Sequence, residues 1–246
     1  HIPQTALQSY NELAWFDGES VSDAYVGLDN TISTGANSWS LSFWVFRETN
    51  ANGYELLFLS DTETYSQIAV KDGGSSRLTH RDSVGNYVGI SDAAIPNNEW
   101  VHIIIAATGD TSILAYVNGV AQTSVSTSDT ALIVDNFMGG YSSSGLHAAV
   151  GTITEVSYYS DVLTAAEALD LFNDGKAKSA LEASGSAGLV GYWRNNGLSE
   201  WKDLKGSNDG NTTAGVVETI LIPEGVDTTR DSQGFLMNKK RSTGSL

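Results

Sequence analysis

The chain contains no cysteine, few basic side chains and no long apolar run. The lack of cysteine excludes both a disulfide framework and a thiolate metal site. With 13 Lys and Arg against 29 Asp and Glu, the formal net charge is −16. This charge argues against nucleic-acid binding through phosphate neutralisation, and it suits divalent cations or a solvated acidic surface. Because no segment approaches the roughly 18 apolar residues of a membrane span, we expect none.

Proline is also scarce, with 3 residues, whereas glycine is abundant, with 25. Together with many Ser, Thr, Asn and Asp clusters, this composition is typical of short strands joined by polar turns. A chain of 246 residues has the length of one all-β domain of sandwich size with a terminal extension. Such a domain can bury its core without disulfides.

The strongest local signals lie between residues 38 and 122. The alternation in residues 38–46 predicts a strand whose odd positions face the core, while Trp44 and Phe46 indicate that its other face is covered too. The near-continuous apolar run from Glu99 to Thr108 predicts a strand buried on both faces. Asn118-Gly119 predicts a type I′ hairpin turn, whose two central residues need φ > 0. An isolated hairpin is marginal in water, so this one must belong to a larger β-structure.

One helix is predicted after the last long strand. Thr164 and Glu167 have the spacing of a capping box, and Gly175 stands where a glycine commonly ends a helix. The residues predicted to share its buried face are Ala165, Ala168, Leu169 and Phe172.

The run Glu99-Trp100-Val101-His102-Ile103, followed by Val117-Asn118-Gly119-Val120, resembles the laminin-G-like, concanavalin A-like jelly-roll family. Three other stretches also resemble this family and occur in its order along the chain: 14–18, 39–45 and 151–159. The resemblance covers residues 13–175. It implies an all-β, concanavalin A-like antiparallel β-sandwich (jelly roll) with one short helix. It implies little about function, because that fold hosts lectins, adhesins, glycanases and structural modules.

Residues 189–222 resemble the segment that usually opens such a domain, yet here they follow the helix. They could add edge strands to the same sandwich, open a second domain, or pair with another subunit, and we expect the first. The expected organisation is therefore a sandwich over 1–225, with 13–175 as its core and 189–222 as additional edge strands. Residues 226–246 are expected to form an extended C-terminal arm, which resembles segments of marine bacteriophage virion proteins.

Catalytic motifs are missing. Glycanases of this family carry E-x-D-x-x-E on one strand, which sets two carboxylates for retaining hydrolysis, but the strand around Glu155 has one glutamate. The chain has no G-x-S-x-G elbow and no H-E-x-x-H. The histidines are scattered, and we expect His102 to be a hydrogen-bonded structural residue. We therefore predict that the protein is not an enzyme.

Calcium binding is a better hypothesis for the chemistry of this chain than catalysis. The resemblance implies a Ca²⁺ ion at the sandwich edge, where Asp17 matches the family's turn aspartate and Glu155 matches an acidic position of its last strand. Thr154 replaces the aspartate that usually precedes that position. Asp23 could add oxygen ligands, which a hard cation needs in number. The alternative is that Asp17 only caps its turn.

Three tyrosines are candidates for carbohydrate binding. Tyr65, Tyr87 and Tyr141 stand in predicted polar loops or at strand ends, where an exposed aromatic face offers sugars a stacking surface. The alternative is that their rings are packed and only their hydroxyls are wet.

These features predict a non-catalytic structural or adhesion protein of a virion or cell surface, a decoration or fibre component with potential glycan binding. Its expected partners are other virion or surface proteins, further copies of itself through the arm, and glycans. Its expected location is the virion surface or the extracellular space. The alternatives are a soluble extracellular lectin and a polysaccharide-active enzyme with an unfamiliar site.

Overall fold

The computed structural model describes residues 12–16, 25–48, 54–60, 66–71, 76–82, 85–127, 129–138, 149–195, 199–212 and 217–221. In chain order the elements are β1 (Glu12–Phe16), β2 (Val26–Ser33), β3 (Trp39–Arg47), β4 (Tyr54–Leu59), β5 (Gln67–Lys71), β6 (Arg77–Arg81), β7 (Tyr87–Ala94), β8 (Trp100–Thr108), β9 (Ser112–Val117), β10 (Val120–Ala121), β11 (Val125–Ser126), β12 (Ile133–Phe137), β13 (Gly151–Tyr159), α1 (Ala165–Phe172), β14 (Leu189–Trp193), β15 (Glu200–Trp201), β16 (Gly210–Thr212) and β17 (Val217–Leu221). Short 3-10 turns occupy Asn173–Gly175 and Ser186–Gly188.

The strands form two antiparallel sheets. Sheet 1 has the order β10-β9-β8-β3-β13-β1-β17, with β11 paired to β9 and β14 paired to β13. Sheet 2 has the order β15-β16-β2-β12-β4-β5-β6-β7. The predicted antiparallel sandwich with one short helix is therefore confirmed. The predicted arm, residues 226–246, lies outside the described residues.

The main core lies between the sheets, where apolar side chains from both inner faces interdigitate. In β3 the odd positions Trp39, Leu41, Phe43 and Val45 belong to this core, as the alternation predicted. Phe43 of sheet 1 meets Phe58 of sheet 2 edge to face, with ring centroids 4.8 Å apart, a favoured aromatic geometry.

The outer face of sheet 1 is covered as well. Trp44 and Phe46 are buried there in a cluster with Trp15 and Trp100. A neighbouring cluster packs Ile104 and Tyr116 of the sheet against α1 and the segment that follows it. This second layer explains why β3 and β8 are apolar on both faces.

The central hairpin has the predicted turn. Asn118 and Gly119 both have positive φ, 49° and 76°, as type I′ requires. A Cβ atom on Gly119 would come within 2.9 Å of the Phe172 ring. Glycine therefore serves both the backbone conformation and the close packing of α1 on this turn.

The helix begins as predicted but ends and packs differently. The Thr164–Glu167 capping box is present. The left-handed residue at the C-cap is Asn173, with φ 48°, two positions before Gly175. Of the predicted buried face, Ala168 is buried and Phe172 half-buried, whereas Ala165 is exposed and Leu169 is 55% exposed. Leu171 is buried instead. The reason is long-range: Leu171 packs in one cluster with Ala180 and Ala183, and nothing in the helix itself predicts that the chain returns to this side.

Residues 189–221 supply strands to both sheets of the same chain. β14 pairs with β13, β17 pairs with β1, and β15 and β16 extend sheet 2 beyond β2. Trp193 and Trp201 enter the main core, where the Trp193 ring lies 5.5 Å from that of Phe137. The late segment thus completes the interior that the earlier strands leave open.

Asn195 ties this late segment to the first strand. Its Oδ1 accepts a hydrogen bond from Ala14 N at 2.8 Å, and its Nδ2 donates to Ala14 O and to Thr152 Oγ1, each at 2.9 Å. The side chain is fully buried. The side chain lies where β1 and β14 both adjoin β13. There it forms hydrogen bonds with the backbone N–H and C=O of Ala14, which do not pair with a strand on that side.

We expect Asn195→Ala to destabilise the protein by about 2 kcal/mol or more, because the backbone groups of Ala14 lose their partners inside the protein. Equilibrium urea unfolding measures this. Asn211, which is exposed on β16, provides the matched control, and Asn211→Ala should change stability by less than about 0.5 kcal/mol. Equal effects from the two substitutions would contradict the role assigned to Asn195.

His102 is a buried structural residue, as expected. Its Nε2 lies 3.0 Å from Ser42 Oγ, and its ring stacks with Trp44 and Phe172 at centroid distances of 5.0 and 6.1 Å. Burial away from water disfavours the charged form and lowers the pKa of His102 from 6.5 to about 3. The imidazole is therefore neutral at physiological pH.

This lowered pKa predicts acid sensitivity. The unfolded chain binds a proton at His102 below about pH 6.5, whereas the folded chain does so only near pH 3, so stability falls as the pH drops through this window. Between pH 7 and pH 5 the loss from this group is about 2 kcal/mol. We expect His102→Gln to lose about that much less than the native chain in urea unfolding at the two pH values. Leu169→Ala is the control, and an unchanged pH dependence in His102→Gln would refute the assignment.

Candidate functional site

Glu155 lies inside the protein rather than at an open edge. It has a positive φ of 52°, at the irregular register between Thr154 and Ser157 in β13. Its carboxylate accepts from Arg194 Nε at 2.9 Å and from Arg194 Nη2 at 3.3 Å. The Tyr192 hydroxyl donates to the same carboxylate.

These hydrogen bonds engage both oxygens of the Glu155 carboxylate. Glu155 is 4% exposed and Arg194 9% exposed, and removing one partner of such a pair leaves an uncompensated charge. Burial raises the pKa of Tyr192 well above its usual value, and the negative charge of Glu155 adds to this, so the hydroxyl stays protonated. The trio is a buried structural network with no surface on which a substrate could meet the acid.

Of the three residues predicted to bind calcium, only Glu155 is among the described residues. Asp17 and Asp23 lie outside the described residues, and Glu155 would have to give up Arg194 before it could bind a cation. Within the described part of the chain, no group of three or more acidic or histidine residues is arranged to hold a metal ion. Calcium binding stays a prediction that depends on Asp17 and Asp23.

Of the three candidate tyrosines, Tyr65 and Tyr141 lie outside the described residues, and Tyr87 is on the surface. Tyr87 begins β7, the edge strand of sheet 2, and is 42% exposed. The alternation of β7 directs Val88 and Ile90 to the core, so Tyr87 and Gly89 face outward. The structure therefore brings one candidate to a position that a ligand can reach.

Tyr87 stands among cations on that outer face. Lys71, Arg77 and Arg81 alternate with the core residues of β5 and β6, so they point to the same side. The Lys71 Nζ atom lies 4.5 Å from the centre of the Tyr87 ring, and the Arg81 guanidinium carbon lies 4.7 Å from it. Both distances are those of cation–π contacts. We define Lys71, Arg77, Arg81 and Tyr87 as the basic face.

The register explains why these residues meet. Lys71 pairs directly with Arg77 across β5 and β6, and Arg81 pairs with Tyr87 across β6 and β7. The sequence indicates Tyr87 as a candidate but not the three cations. Their period-two placement was a signal that they share a face, but only the pairing of the strands shows that they are neighbours.

Within the described part of the chain, Lys71 and Arg77 form no ion pair with an acidic side chain. The pKa of Asp92 is lowered mainly by hydrogen bonding from Thr123, and the positive charge of Arg77 lowers it further. The Asp92 carboxylate accepts from Thr123 N at 2.6 Å.

A cleft opens near the other end of sheet 2 and is lined by residues of β2 and β14. The cleft has a volume of about 290 Å³. Its walls combine apolar and hydroxyl-bearing side chains with a polar loop, and its lining residues are Thr31, Ile32, Ser33, Tyr158, Val190, Gly191, Trp193, Asp203, Gly206, Ser207 and Asn208.

The acid in this cleft is structural. Asp203 Oδ1 accepts from the backbone N–H groups of Tyr192, Lys205 and Gly206, at 3.0, 3.0 and 2.9 Å. Its Oδ2 accepts from Asn208 N at 3.1 Å. With four backbone donors satisfied, the carboxylate holds the loop in shape rather than offering itself to a ligand.

A family model described as the concanavalin A-like lectin/glucanases superfamily matches residues 18–168. No curated protein matches the sequence. Among the described residues, no helix is long and apolar enough to cross a membrane.

Two solved structures illustrate the similarity of fold. A protein from Bacteroides ovatus, assigned provisionally to carbohydrate binding, is 16% identical with a TM-score of 0.59, and the alignment covers 86% of this chain and 60% of that protein. The chain thus spans about 60% of that protein's length. The native heptameric SAP-like pentraxin from Limulus polyphemus is 11% identical with a TM-score of 0.51, and the alignment covers 84% of this chain and 97% of the pentraxin.

Proposed function

The chain belongs to the concanavalin A-like lectin/glucanase superfamily, and from this premise we propose that it is a non-catalytic carbohydrate-binding module of a virion or cell surface. The observation that carries the proposal is the exposed Tyr87 ring, fixed on the outer face of sheet 2 by two cations. A flat ring held in place can stack on a sugar with little loss of side-chain freedom on binding.

The burial of Glu155 supports the non-catalytic part of the proposal. Retaining glycoside hydrolysis needs two carboxyl groups flanking an accessible bond. The acid that the family resemblance would favour, Glu155, is buried against Arg194 and Tyr192. The provisional assignment of the Bacteroides ovatus protein to carbohydrate binding agrees with the proposal.

A polysaccharide-active enzyme is the competing function. It would release reducing ends from a polysaccharide, and the release would disappear in Glu155→Gln. We expect no such release from the native chain.

Tyr87→Ala should weaken glycan binding by about fivefold or more, because stacking on an aromatic ring contributes on the order of 1 kcal/mol. Glycan-array screening of the native chain, followed by calorimetric titration of the best ligand, measures this. Tyr87→Phe, which keeps the ring, should retain most of the affinity. Both variants should unfold thermally as the native chain does.

Two results would count against the proposal. One is the failure of the native chain to bind any member of a broad array. The other is binding that Tyr87→Ala leaves unchanged.

The virion or surface placement rests on the arm, residues 226–246, and on its resemblance to virion segments. Extended arms can join neighbouring subunits by adding a strand to an open sheet edge. We expect light scattering to find an assembly for the full chain and a monomer for a chain that ends at Gly225.

Repeating the measurement with a calcium chelator tests the cation prediction. Chelation should lower the thermal stability of the full chain and have no further effect on Asp17→Asn. If the full chain and the chain that ends at Gly225 are both monomers, the prediction about the arm is refuted. If chelator leaves the thermal stability of the full chain unchanged, the calcium prediction is refuted.

A further inference from the structure

The basic face differs in charge from the protein that carries it. The chain as a whole has a net charge of −16, yet Lys71, Arg77 and Arg81 share one outer surface of adjacent strands. Lys71 and Arg77 are directly opposed in the β5–β6 ladder. The Lys71 ammonium extends from that position to lie over the Tyr87 ring, so that lysine, both arginines and the tyrosine share one surface.

From this juxtaposition we propose that the basic face binds an acidic polysaccharide, one that bears carboxylate or sulfate groups along its length. The inference rests on the proposed carbohydrate-binding function and specifies its ligand class. Lys71 and Arg77 contact the anionic groups, and the Tyr87 ring supports the sugar beside them. Arg81 holds the ring and adds positive charge.

The geometry suits a chain of repeated negative charge. The Lys71 ammonium and the Arg81 guanidinium both lie within 5 Å of the centre of the Tyr87 ring, so the anionic group of a sugar at the ring is near both. Arg77 stands four residues from Arg81 on the same face of β6, about 13 Å along the strand, where a further charged sugar of the same polymer can reach it. The two arginines offer forked donors that match the planar oxygens of carboxylate or sulfate.

The electrostatics favour a ligand from outside the molecule. A chain rich in Asp and Glu could neutralise these cations internally, but among the described residues no carboxylate pairs with Lys71 or Arg77.

Tyr87 selects a polysaccharide over a simple counterion. Two cations within 5 Å of one ring centre keep the ring in place, and the ring is still 42% exposed. A small inorganic anion would use the charges and ignore the ring. A sugar polymer uses both, through its C–H faces and its anionic groups.

The test compares the double variant Lys71→Ala/Arg77→Ala with Lys202→Ala/Lys205→Ala. Both lose the same charge, and Lys202 and Lys205 lie near β15, at the opposite edge of sheet 2 from β7. The probes are polygalacturonate, dextran sulfate and neutral dextran, titrated calorimetrically at about 0.15 M and 0.5 M NaCl, concentrations that differ in screening.

We expect one or both acidic polymers to bind the native chain and neutral dextran to bind at least about tenfold more weakly. The Lys71/Arg77 variant should lose about tenfold in affinity for the acidic polymer, the effect of two exposed ion pairs in the upper half of their usual range. The Lys202/Lys205 variant should change by less than about twofold, and the higher salt should weaken binding. All four side chains are exposed, so thermal unfolding should show intact folds.

Each other result overturns the inference in a distinguishable way. Tyr87-dependent binding of neutral glycans, indifferent to Lys71 and Arg77, would leave the proposed function standing and refute the acidic ligand. Binding of no polysaccharide at all would refute both. Tighter binding to duplex DNA, or self-association abolished by the Lys71/Arg77 variant, would show that nucleic acid or a second acidic copy of the chain occupies this face.

Discussion

The fold depends on the return of the late segment to an interior that the earlier strands leave open. Trp193 and Trp201 fill the space beside Phe137 between the two sheets. Asn195 then joins the late segment to β1 by hydrogen bonds to both backbone groups of Ala14. Because aromatic side chains of this size dominate core energetics, the early and late parts of the chain gain their stability together.

The return of the late segment also determines which acidic side chains are engaged inside the fold. β14 brings Tyr192 and Arg194 against Glu155, so the acidic position in β13 that resembles a family ligand becomes part of a buried network. Asp203 likewise accepts hydrogen bonds from backbone N–H groups of β14 and of its own loop. In a strongly acidic chain, the carboxylates at these structurally central positions maintain the fold.

The two sheets therefore have different outer surfaces. Sheet 1 is covered by α1 and the segment after it, which pack on Ile104 and Tyr116. In sheet 2, the strands β5 to β7 present Lys71, Arg77 and Tyr87 to solvent. A ligand surface built on strands is more rigid than one built on loops, which favours a preorganised site. This asymmetry is the structural reason for placing recognition on the basic face.

Local signals in the sequence predicted local structure well. The Asn118-Gly119 turn, the Thr164–Glu167 capping box and the alternation of β3 are each determined by neighbours along the chain. The burial of Leu171, the partners of Glu155 and the grouping of Lys71 with Arg77 depend on which distant strands pair and in what register. Hydrophobic periodicity indicates which face a residue occupies, but it does not indicate which residues of other strands stand beside it.

The most direct test of ligand recognition on the basic face is a residue-by-residue map of the contact surface. Backbone amide NMR shifts of the isotope-labelled chain would be followed during titration with a short oligogalacturonate or sulfated oligosaccharide. We expect the perturbed amides to cluster in β5, β6 and the start of β7, around Lys71, Arg77 and Tyr87. Perturbations centred on the cleft between β2 and β14, with β5 to β7 unchanged, would contradict this assignment and move the binding site to the opposite end of sheet 2.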